Sequence, residues 1–183
     1  PLLVPALRSA NRKIRLGAIG ALAEIRDPAA VPALAEMMQD PVSELRWQAA
    51  SALGEMNSHD AIAPLLRGLE DIDKYVRYGS AISLGRNGYQ PADDSGWAWY
   101  HAAMQDWDRL KALGPAALAP LKSLLRDADS SVRIRAVQAL GDLGDRSSGP
   151  AILRMLADPD RQVRWESALA SQKCGGPPRA QPG

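Results

Sequence analysis

The segment Asp40–Gly54, with the sequence DPVSELRWQAASALG, decides the fold because its pattern returns further along the chain. Asp127–Gly141 reads DADSSVRIRAVQALG, with aspartate, arginine, leucine and glycine at the same places. Apolar or small residues at i, i+4, i+5 and i+8 lie on one face of a helix; in the first copy they are Leu45, Ala49, Ala50 and Leu53. The segment therefore predicts a helix with one buried face. We expect its small residue at i+4 to admit a neighbouring backbone and its final glycine to make a turn.

Two residue types recur with the same period along the chain. The arginine of the pattern recurs at intervals of 31, 31, 56 and 31 residues, at Arg15, Arg46, Arg77, Arg133 and Arg164. The aspartate recurs at intervals of 31, 56 and 31 residues, at Asp40, Asp71, Asp127 and Asp158. Both series have one interval that is 25 residues too long, at the same place. The chain is therefore a repeat protein with one insertion.

A second helix is predicted in each repeat, because a proline stands where its first turn would be, and there a missing N–H has no intrahelical partner. These prolines are Pro32, Pro64, Pro120 and Pro150. The aspartate that closes each repeat is expected to cap the next first helix. Neither helix can bury its apolar stripe alone, so successive helix pairs must stack. The predicted fold class is an all-α solenoid with one inserted helix.

This register makes residues 1–173 a single solenoid domain. Its parts are a partial repeat at 1–10, full repeats at 11–40, 41–71, 72–127 and 128–158, and a terminal helix at 159–173. The third full repeat contains the insertion, at about 86–113. Residues 174–183 are rich in glycine and proline, so we expect a disordered tail there.

Composition and charge narrow the possible partners. The chain has 183 residues, of which 46% are hydrophobic and 23% charged, as expected of a soluble folded protein. Its net charge of +1 provides no bulk field for nucleic acid or an anionic membrane. No apolar run is long enough to span a bilayer. The single cysteine, Cys174, cannot form an internal disulfide, so we expect a reducing compartment, the cytoplasm.

Three features together resemble a known family. First helices with the pattern Val-Arg-x-x-Ala-x-x-x-Leu-Gly, second helices opened by proline, and closing aspartates are similar to the HEAT-like repeats first associated with phycobilisome lyases. The resemblance covers residues 1 to about 173 and implies a right-handed superhelix of helix pairs. Because the chain starts at Pro1, it is compatible with a piece of a longer solenoid. The family includes scaffolds, chromophore lyase subunits and metal-dependent hydroxylases, so function does not follow from the fold.

The recurring arginines, named here the ladder arginines, allow two interpretations: a basic ridge that faces a ligand, or an internal staple. Each one directly follows a residue of the buried stripe. Each can reach the aspartate that closes a neighbouring repeat and form a bidentate pair with it. We favour the structural role for these arginines and for Asp40, Asp71, Asp127 and Asp158.

The second helices of HEAT-like stacks line the concave face, so the resemblance makes their polar residues the expected interaction surface. These residues are Glu36, Arg67, Glu70, Lys122, Arg126 and Arg154. The set becomes more basic toward the C-terminal half, which favours an acidic partner there. The alternative is an ordinary solvated helix face.

The insertion is predicted to be one helix, started by Asp93-Asp94-Ser95 and ended by Gly114-Pro115. Four residues at i, i+3, i+7 and i+10 share one face that should pack onto the solenoid: Trp97, Tyr100, Met104 and Trp107. Trp99 points to the side of that face, and Trp99 with His101 is the candidate for an exposed partner contact. The segment resembles a Gly-Trp-x-Pro module followed by an Ala-x-Tyr helix in some prokaryotic HEAT-like proteins, with Tyr89 in place of tryptophan. That resemblance favours an architectural module over a cofactor pocket.

Residues for catalysis are sparse. Neither His59 nor His101 is followed by glutamate, so the His-Glu pairs of HEAT-like diiron hydroxylases are missing, and no set of histidines and cysteines has metal-ligand spacing. We expect a non-enzymatic scaffold that binds another protein on the concave face and the rim of the insertion, without a cofactor, metal, small-molecule ligand or membrane. The alternatives are an accessory or catalytic subunit of the phycobilin-lyase type and a DNA-binding HEAT-like protein, which the near-zero charge opposes.

Overall fold

The structure, a computed structural model, describes residues 3–175, and every regular element within that range is helical. It divides into two compact units, Pro1–Ala92 and Asp93–Gly183. Both are built from stacked helix pairs, so the predicted all-α solenoid is confirmed. None of the helices between residues 3 and 175 combines the length and the hydrophobicity of a membrane span.

The N-terminal unit alternates first and second helices. In chain order they are α1 (Leu3–Ala6), α2 (Arg12–Ile25), α3 (Val31–Met37), α4 (Ser43–Glu55), α5 (Ile62–Gly68) and α6 (Lys74–Arg86). The first helices α2, α4 and α6 pack side by side, while α3 packs against α4 and α5 against α6. A 3₁₀ turn precedes each second helix, at Pro28–Ala30 and His59–Ala61. The expected prolines Pro32 and Pro64 lie in the first turns of α3 and α5.

The C-terminal unit begins with the insertion and then returns to the repeat. Its helices are α7 (Asp94–Met104), α8 (Trp107–Ala112), α9 (Leu118–Leu124), α10 (Ser130–Leu143), α11 (Gly149–Arg154) and α12 (Arg161–Lys173). The first helices α10 and α12 pack together, with α9 against α10 and α11 against α12. Further 3₁₀ turns lie at Gly114–Ala117, Arg146–Ser148 and Met155–Ala157.

The apolar stripe forms the core of both units, as predicted. The stripe residues of α4 are inaccessible to solvent: Leu45, Ala49, Ala50 and Leu53. Those of α10 are buried in the same way: Val132, Ala136, Val137 and Leu140. Burying one leucine or valine side chain contributes roughly 1.5–3 kcal/mol, so the stacking of first helices is a main source of stability.

The glycine near the end of each stripe does not make the predicted turn. Gly54 and Gly141 lie inside α4 and α10. A Cβ atom on Gly141 would lie 2.8 Å from Ala170 Cβ, and one on Gly54 would lie 2.5 Å from Ser83 Oγ. The prediction was wrong because these glycines provide the space in which the next first helix packs.

The closing aspartates do not cap the next first helix directly, which corrects a second prediction. Asp71 Oδ1 accepts a hydrogen bond of 2.8 Å from the N–H of Asp73. Asp73 Oδ1 then accepts from the first-turn N–H groups of Tyr75 and Val76, at 2.8 and 3.3 Å. The same two-step arrangement links Asp127 to Asp129, which caps α10, and Asp158 to Asp160, which caps α12. The closing aspartate therefore orders the loop that carries the cap.

The prediction of a disordered tail from residue 174 is wrong for Cys174. Its side chain is buried against α10, and Sγ donates a hydrogen bond of 3.6 Å to the carbonyl of Leu140. Burial also raises the pKa of the Cys174 thiol, so the reactive thiolate is disfavoured. Residues 176–183 of the predicted tail lie outside the described residues.

Candidate functional site

The ladder arginines make their contacts inside the fold. Arg133 donates from Nε and Nη2 to the two carboxylate oxygens of Asp158, at 2.9 and 2.8 Å. Its Nη1 donates to the carbonyls of Asp127 and Ala128, at 2.8 and 3.1 Å. The side chains of Arg133 and Asp158 are only 11% and 5% exposed. This guanidinium is therefore enclosed by acceptors that belong to the chain itself.

The charges of this pair stabilise each other. Chiefly through its hydrogen bond to Asp158, the pKa of Arg133 is raised above its ordinary value. Burial tends to raise the pKa of Asp158, but hydrogen bonds from Arg133 and from the N–H of Asp160 outweigh it, so that the pKa is lowered. Both side chains therefore stay ionised at neutral pH.

The same contacts recur in the N-terminal unit. Arg46 donates to both oxygens of Asp71 at 2.7 and 2.9 Å, and Arg15 Nε lies 3.0 Å from Asp40 Oδ2. In each ladder arginine, Nη1 donates to the carbonyls of the residues six and five places earlier; this holds for Arg15, Arg46, Arg77, Arg133 and Arg164. The geometry is thus a property of the repeat.

One detail of the predicted staple is wrong. The aspartate that binds a ladder arginine lies 25 residues after it and closes the same repeat, not a neighbouring one. The preceding repeat is reached only through a backbone carbonyl, such as that of Asp40 for Arg46. The guanidinium groups of Arg15, Arg46 and Arg133 therefore each join the loops at the start and the end of their own repeat. These contacts favour the structural interpretation, which we keep as a proposal for the whole ladder.

Three of the residues expected to bind a partner line a single groove of the C-terminal unit, named here the basic groove. Lys122 belongs to α9, Arg126 follows its end, and Arg154 belongs to α11. The groove has a volume of about 430 Å³, and its other lining residues are Leu125, Ser147, Pro150, Ala151 and Met155. Lys122 Nζ donates to the carbonyl and Oγ of Ser147, at 3.3 and 3.1 Å. None of these lining residues carries a carboxylate.

The remaining basic residue of the expected surface, Arg67, lies in a groove of the N-terminal unit with balanced charge. This groove has a volume of about 400 Å³, and its lining includes Arg46, Asp40 and Asp71 besides Arg67. Arg46 is already bonded to Asp71. Two cations and two carboxylates in one lining leave no net charge to attract an acidic partner.

The insertion consists of two helices and not the single helix that was predicted. Gln105 has a φ of 56°, a left-handed conformation that ends α7, and Asp106 Oδ1 then accepts the N–H of Arg109 at the start of α8. The predicted stripe is only half-buried at all four places, before and after this break: Trp97, Tyr100, Met104 and Trp107. The deepest residues are smaller ones: Ala98, Ala102, Ala103 and Leu110.

His101 does not form the exposed edge that was predicted for it. Its side chain is 12% exposed, and its ring stacks on Trp97 with 5.5 Å between centroids. Burial lowers the pKa of His101, although Asp106, whose Oδ2 lies 3.9 Å from Nδ1, acts in the opposite direction. Trp99 is half-buried, and neither residue lines the basic groove. A partner contact through Trp99 and His101 stays a prediction, and both side chains expose only part of their surface.

A surface that sequence reasoning missed lies on the first helices α4 and α6. Trp47, Tyr75 and Tyr78 are 39%, 63% and 46% exposed, and all three line one groove. Trp47 and Tyr78 each directly follow a ladder arginine. The amino-acid sequence therefore contains a signal for two of these rings, at the position that follows the ladder arginine in each repeat.

No cluster suited to a metal ion occurs among residues 3–175: nowhere in that range do three His, Cys, Asp or Glu side chains come together. The groups that the structure does bring together are the arginine–aspartate staples, the basic groove and the aromatic rings of α4 and α6. Surfaces of this kind suit the binding of another macromolecule by charge and apolar contact.

Comparison with known proteins agrees with this architecture. A family model described as HEAT repeats matches residues 1–85 and 115–182. The unmatched residues between them are those that interrupt the period. No curated protein matches the chain.

Several solved structures are similar in fold. The complex of CpcE and CpcF of phycocyanin lyase from Nostoc sp. PCC7120 is 19% identical, with 94% of this chain and 93% of that chain covered and a TM-score of 0.46. Human deoxyhypusine hydroxylase in complex with glycerol is 18% identical, with 93% and 82% covered and a TM-score of 0.43. An engineered protein is 21% identical, with 96% of each chain covered and a TM-score of 0.42.

Proposed function

The chain belongs to the HEAT-repeat family, and we propose that it is a non-enzymatic scaffold that binds an acidic segment of another protein in the basic groove. The observation that carries this proposal is the convergence of Lys122, Arg126 and Arg154 on one groove whose lining has no carboxylate. Stacked repeats place residues from successive second helices on a common surface, so one bound segment contacts more than one repeat.

Charge supports an acidic partner. The whole chain has a net charge of only +1, so three cations in one groove are a local excess and not a reflection of overall composition. Asp145 interacts with the charge of Lys122, but its main partner is Ser147. Hydrogen bonds from Ser147, with a smaller contribution from Lys122, hold the pKa of Asp145 below its ordinary value. A local excess of one charge speeds association with a partner of the opposite charge.

Apolar contact supports a protein segment over a simple anion. Leu125 is 6% exposed and lies in the lining with the half-buried Ala151 and Met155. Arg126 and Arg154 are exposed at the same groove. Exposed ion pairs contribute little each, whereas an apolar side chain on a desolvated floor provides much of the affinity in protein interfaces. The preferred segment therefore combines carboxylates with at least one apolar residue.

Charge reversal tests this function directly. The variant Lys122→Glu/Arg126→Glu/Arg154→Glu and the wild type are used for affinity capture from the native organism, and the recovered protein is then titrated against both. We expect the variant to bind at least about ten-fold more weakly, because attraction becomes repulsion at three places. Raising NaCl from about 0.05 to 0.5 M should weaken the wild type much more than the variant.

Arg67→Glu is the matched control, because Arg67 occupies the place of Arg154 in the charge-balanced groove of the other unit. It should keep the wild-type affinity, and equal melting temperatures would show that all variants are folded. Recovery of the same proteins with the same affinity by the charge-reversal variant would refute the proposal. Salt-dependent binding of labelled duplex DNA through the same three residues would replace it with the DNA-binding alternative.

A further inference from the structure

The groove on α4 and α6 is a second docking surface, and it does not depend on the proposed function of the basic groove. We name it the aromatic groove; it has a volume of about 520 Å³ and is lined by Ser43, Glu44, Trp47, Asp73, Tyr75 and Tyr78. Three aromatic rings and two carboxylates thus face one space, and no lysine or arginine belongs to the lining. Most of its surface is apolar, and its lining contains two carboxylates, of which Glu44 is paired with Arg12.

Trp47 can occupy its position in this groove because the residue of α6 that it contacts, Gly79, has no side chain. A Cβ atom at Gly79 would lie 2.8 Å from Trp47 Cδ1 and 3.1 Å from its Nε1. Glycine is unfavourable inside a helix such as α6, yet here it makes room for the indole ring to lie against the helix. The rest of the ring stays accessible, since Trp47 is 39% exposed.

The repeat keeps an aspartate and an aromatic ring at the places of Asp73 and Tyr78, namely Asp160 and Trp165, but it does not require the other side chains. Counted from the ladder arginine, the places of Glu44, Trp47 and Tyr75 are occupied in the C-terminal unit by Ser131, Ile134 and Gln162. Helices α10 and α12 nevertheless pack as α4 and α6 do. The combination of rings and carboxylates is therefore peculiar to one place in the chain and is not needed for stacking.

The chemistry of the groove selects a cation. Lys74 Nζ already lies 5.2 Å from the centroid of the Tyr75 ring, so an aromatic face at this site attracts a positive group within the chain. Arg12 pairs with Glu44 at the edge. Asp73 accepts its helix-capping bonds through Oδ1. Carboxylates beside aromatic rings are the surroundings in which a flat guanidinium both stacks and pairs.

We propose that the aromatic groove binds an arginine side chain in an extended segment of another protein. Arginine is preferred over lysine because its planar guanidinium can stack on one of these aromatic rings and is more weakly hydrated. The two carboxylates oppose a nucleic acid, whose bases could stack on the same rings but whose phosphates would be repelled. The two units thus present surfaces of opposite charge preference, one for acidic and one for basic segments.

The test uses the full chain and two synthetic peptides. An acetylated and amidated Gly-Arg-Gly-Arg-Gly peptide is titrated against the ¹⁵N-labelled protein, with a second peptide in which citrulline, the neutral isostere, replaces each arginine. We expect saturable shifts confined to backbone and indole signals around Glu44 to Trp47 and Asp73 to Tyr78. The citrulline peptide should bind at least about ten-fold more weakly, the size of a desolvated cation–π contact.

Two variants separate the rings from the charges. Tyr75→Ala/Tyr78→Ala removes exposed rings, and Glu44→Gln/Asp73→Asn removes the charges while asparagine keeps the helix cap. Each should weaken the binding of the arginine peptide about five-fold or more. Trp165→Ala, which removes a 57% exposed ring of the other unit, should leave the affinity for this peptide unchanged. The proposal fails if the arginine peptide does not saturate, if citrulline or both variants bind equally well, or if a single-stranded oligonucleotide occupies the groove instead.

Discussion

The basic groove and its counterpart in the N-terminal unit occupy the same place in the repeat but differ in charge. Arg154 corresponds to Arg67, and both are exposed. Beside Arg154 the chain has Arg126, where the N-terminal groove has Gln39. The N-terminal groove also includes the staple residues Arg46 and Asp71, whose charges cancel.

This comparison separates the residues that helix stacking requires from the residues whose charge it does not restrict. The stripe leucines and the arginine–aspartate staples recur in both units, because every stacked pair needs a buried face and a closed loop. Residues on the exposed side of the second helices face solvent, so stacking does not restrict their charge. Two grooves of the same framework can therefore differ in charge.

The largest effect is expected from breaking a staple. Arg133→Met leaves Asp158 charged, 5% exposed and without its guanidinium, which should lower the free energy of unfolding by about 3–5 kcal/mol. Arg46→Met should cost somewhat less, since its partner Asp71 is 12% exposed. Urea denaturation followed by circular dichroism measures both.

The double variant Arg133→Met/Asp158→Asn is the control for this prediction. It removes both charges while the asparagine oxygen can still accept the N–H of Asp160, so it should recover most of the lost stability, because no buried carboxylate is left unpaired. A loss below about 1 kcal/mol for Arg133→Met alone would place the pair among solvent-screened surface pairs and contradict the structural role of the ladder.

Changes in stability of intermediate size are expected when alanine replaces glycines inside the helices. Their sign should depend on whether the new Cβ atom meets a neighbouring helix. At Gly141 and Gly54 the new Cβ would lie 2.8 and 2.5 Å from atoms of the next first helix. Overpacking should exceed the gain in helix propensity and cost about 1–2 kcal/mol net in each unit. Gly17 has no atom within 4 Å of such a Cβ, so Gly17→Ala should stabilise by up to about 1 kcal/mol.

The melting temperature and the urea midpoint measure the stability of these three alanine variants. If all three alanine variants shift stability in the same direction, close helix approach at Gly54 and Gly141 is not the reason for glycine there.

The smallest effect is expected at two carboxylates that bridge basic residues, the exposed Asp142 and the half-buried Glu55. Asp142 binds Lys173 and Lys111 at 2.9 and 3.4 Å, and Glu55 at the same place in the N-terminal unit binds Arg86 and Arg26 at 2.7 and 2.8 Å. Hydrogen bonding to Lys173, above all, holds the pKa of Asp142 below its ordinary value of 3.8. A pKa lowered by folding stabilises the protein at pH values above the unfolded pKa, and this contribution is lost as the pH falls through the folded pKa.

Asp142→Asn should therefore lower the free energy of unfolding by less than about 1 kcal/mol at pH 7, because solvent screens the pair. The gap between wild type and variant should close well below pH 3.8, and it should shrink at pH 7 in about 0.5 M NaCl. Glu55→Gln at pH 7 should give a loss of similar size. A gap for Asp142→Asn that is unchanged across this pH range would mean that the ion pair is not its cause.

Much of the framework could be predicted because it depends on local spacing. A stripe at i, i+4, i+5 and i+8 specifies the buried face of α4 whatever surrounds it, and the recurrence of Arg46 and Asp71 marks the period. The partner of each ladder arginine was harder to predict. Arg46 lies near Asp40 along the chain and 25 residues before Asp71. The path of the backbone decides which of them supplies the carboxylate.

The insertion shows why the remaining sites could not be predicted. The stripe from Trp97 to Trp107 assumes an unbroken helix, and the left-handed Gln105 changes the phase of every residue after it. His101 was expected at the surface, yet the Trp97 ring stacks on it. The break at Gln105 is not visible in the spacing of the apolar residues, whereas the Trp97–His101 stack has the i, i+4 spacing of a single helix and could have been predicted from it.

The amino-acid sequence by itself determined the helix pairs, their period and the place of the insertion, because hydrophobic periodicity acts within a few turns of one helix. Only the tertiary structure decided which side chains meet across helices. Lys122 and Arg154 lie on different helices, as do Trp47 and Tyr75, and their distances depend on how those helices stack. Packing also decided that Gly54 faces the neighbouring helix, since only a glycine leaves space for Ser83 at that distance.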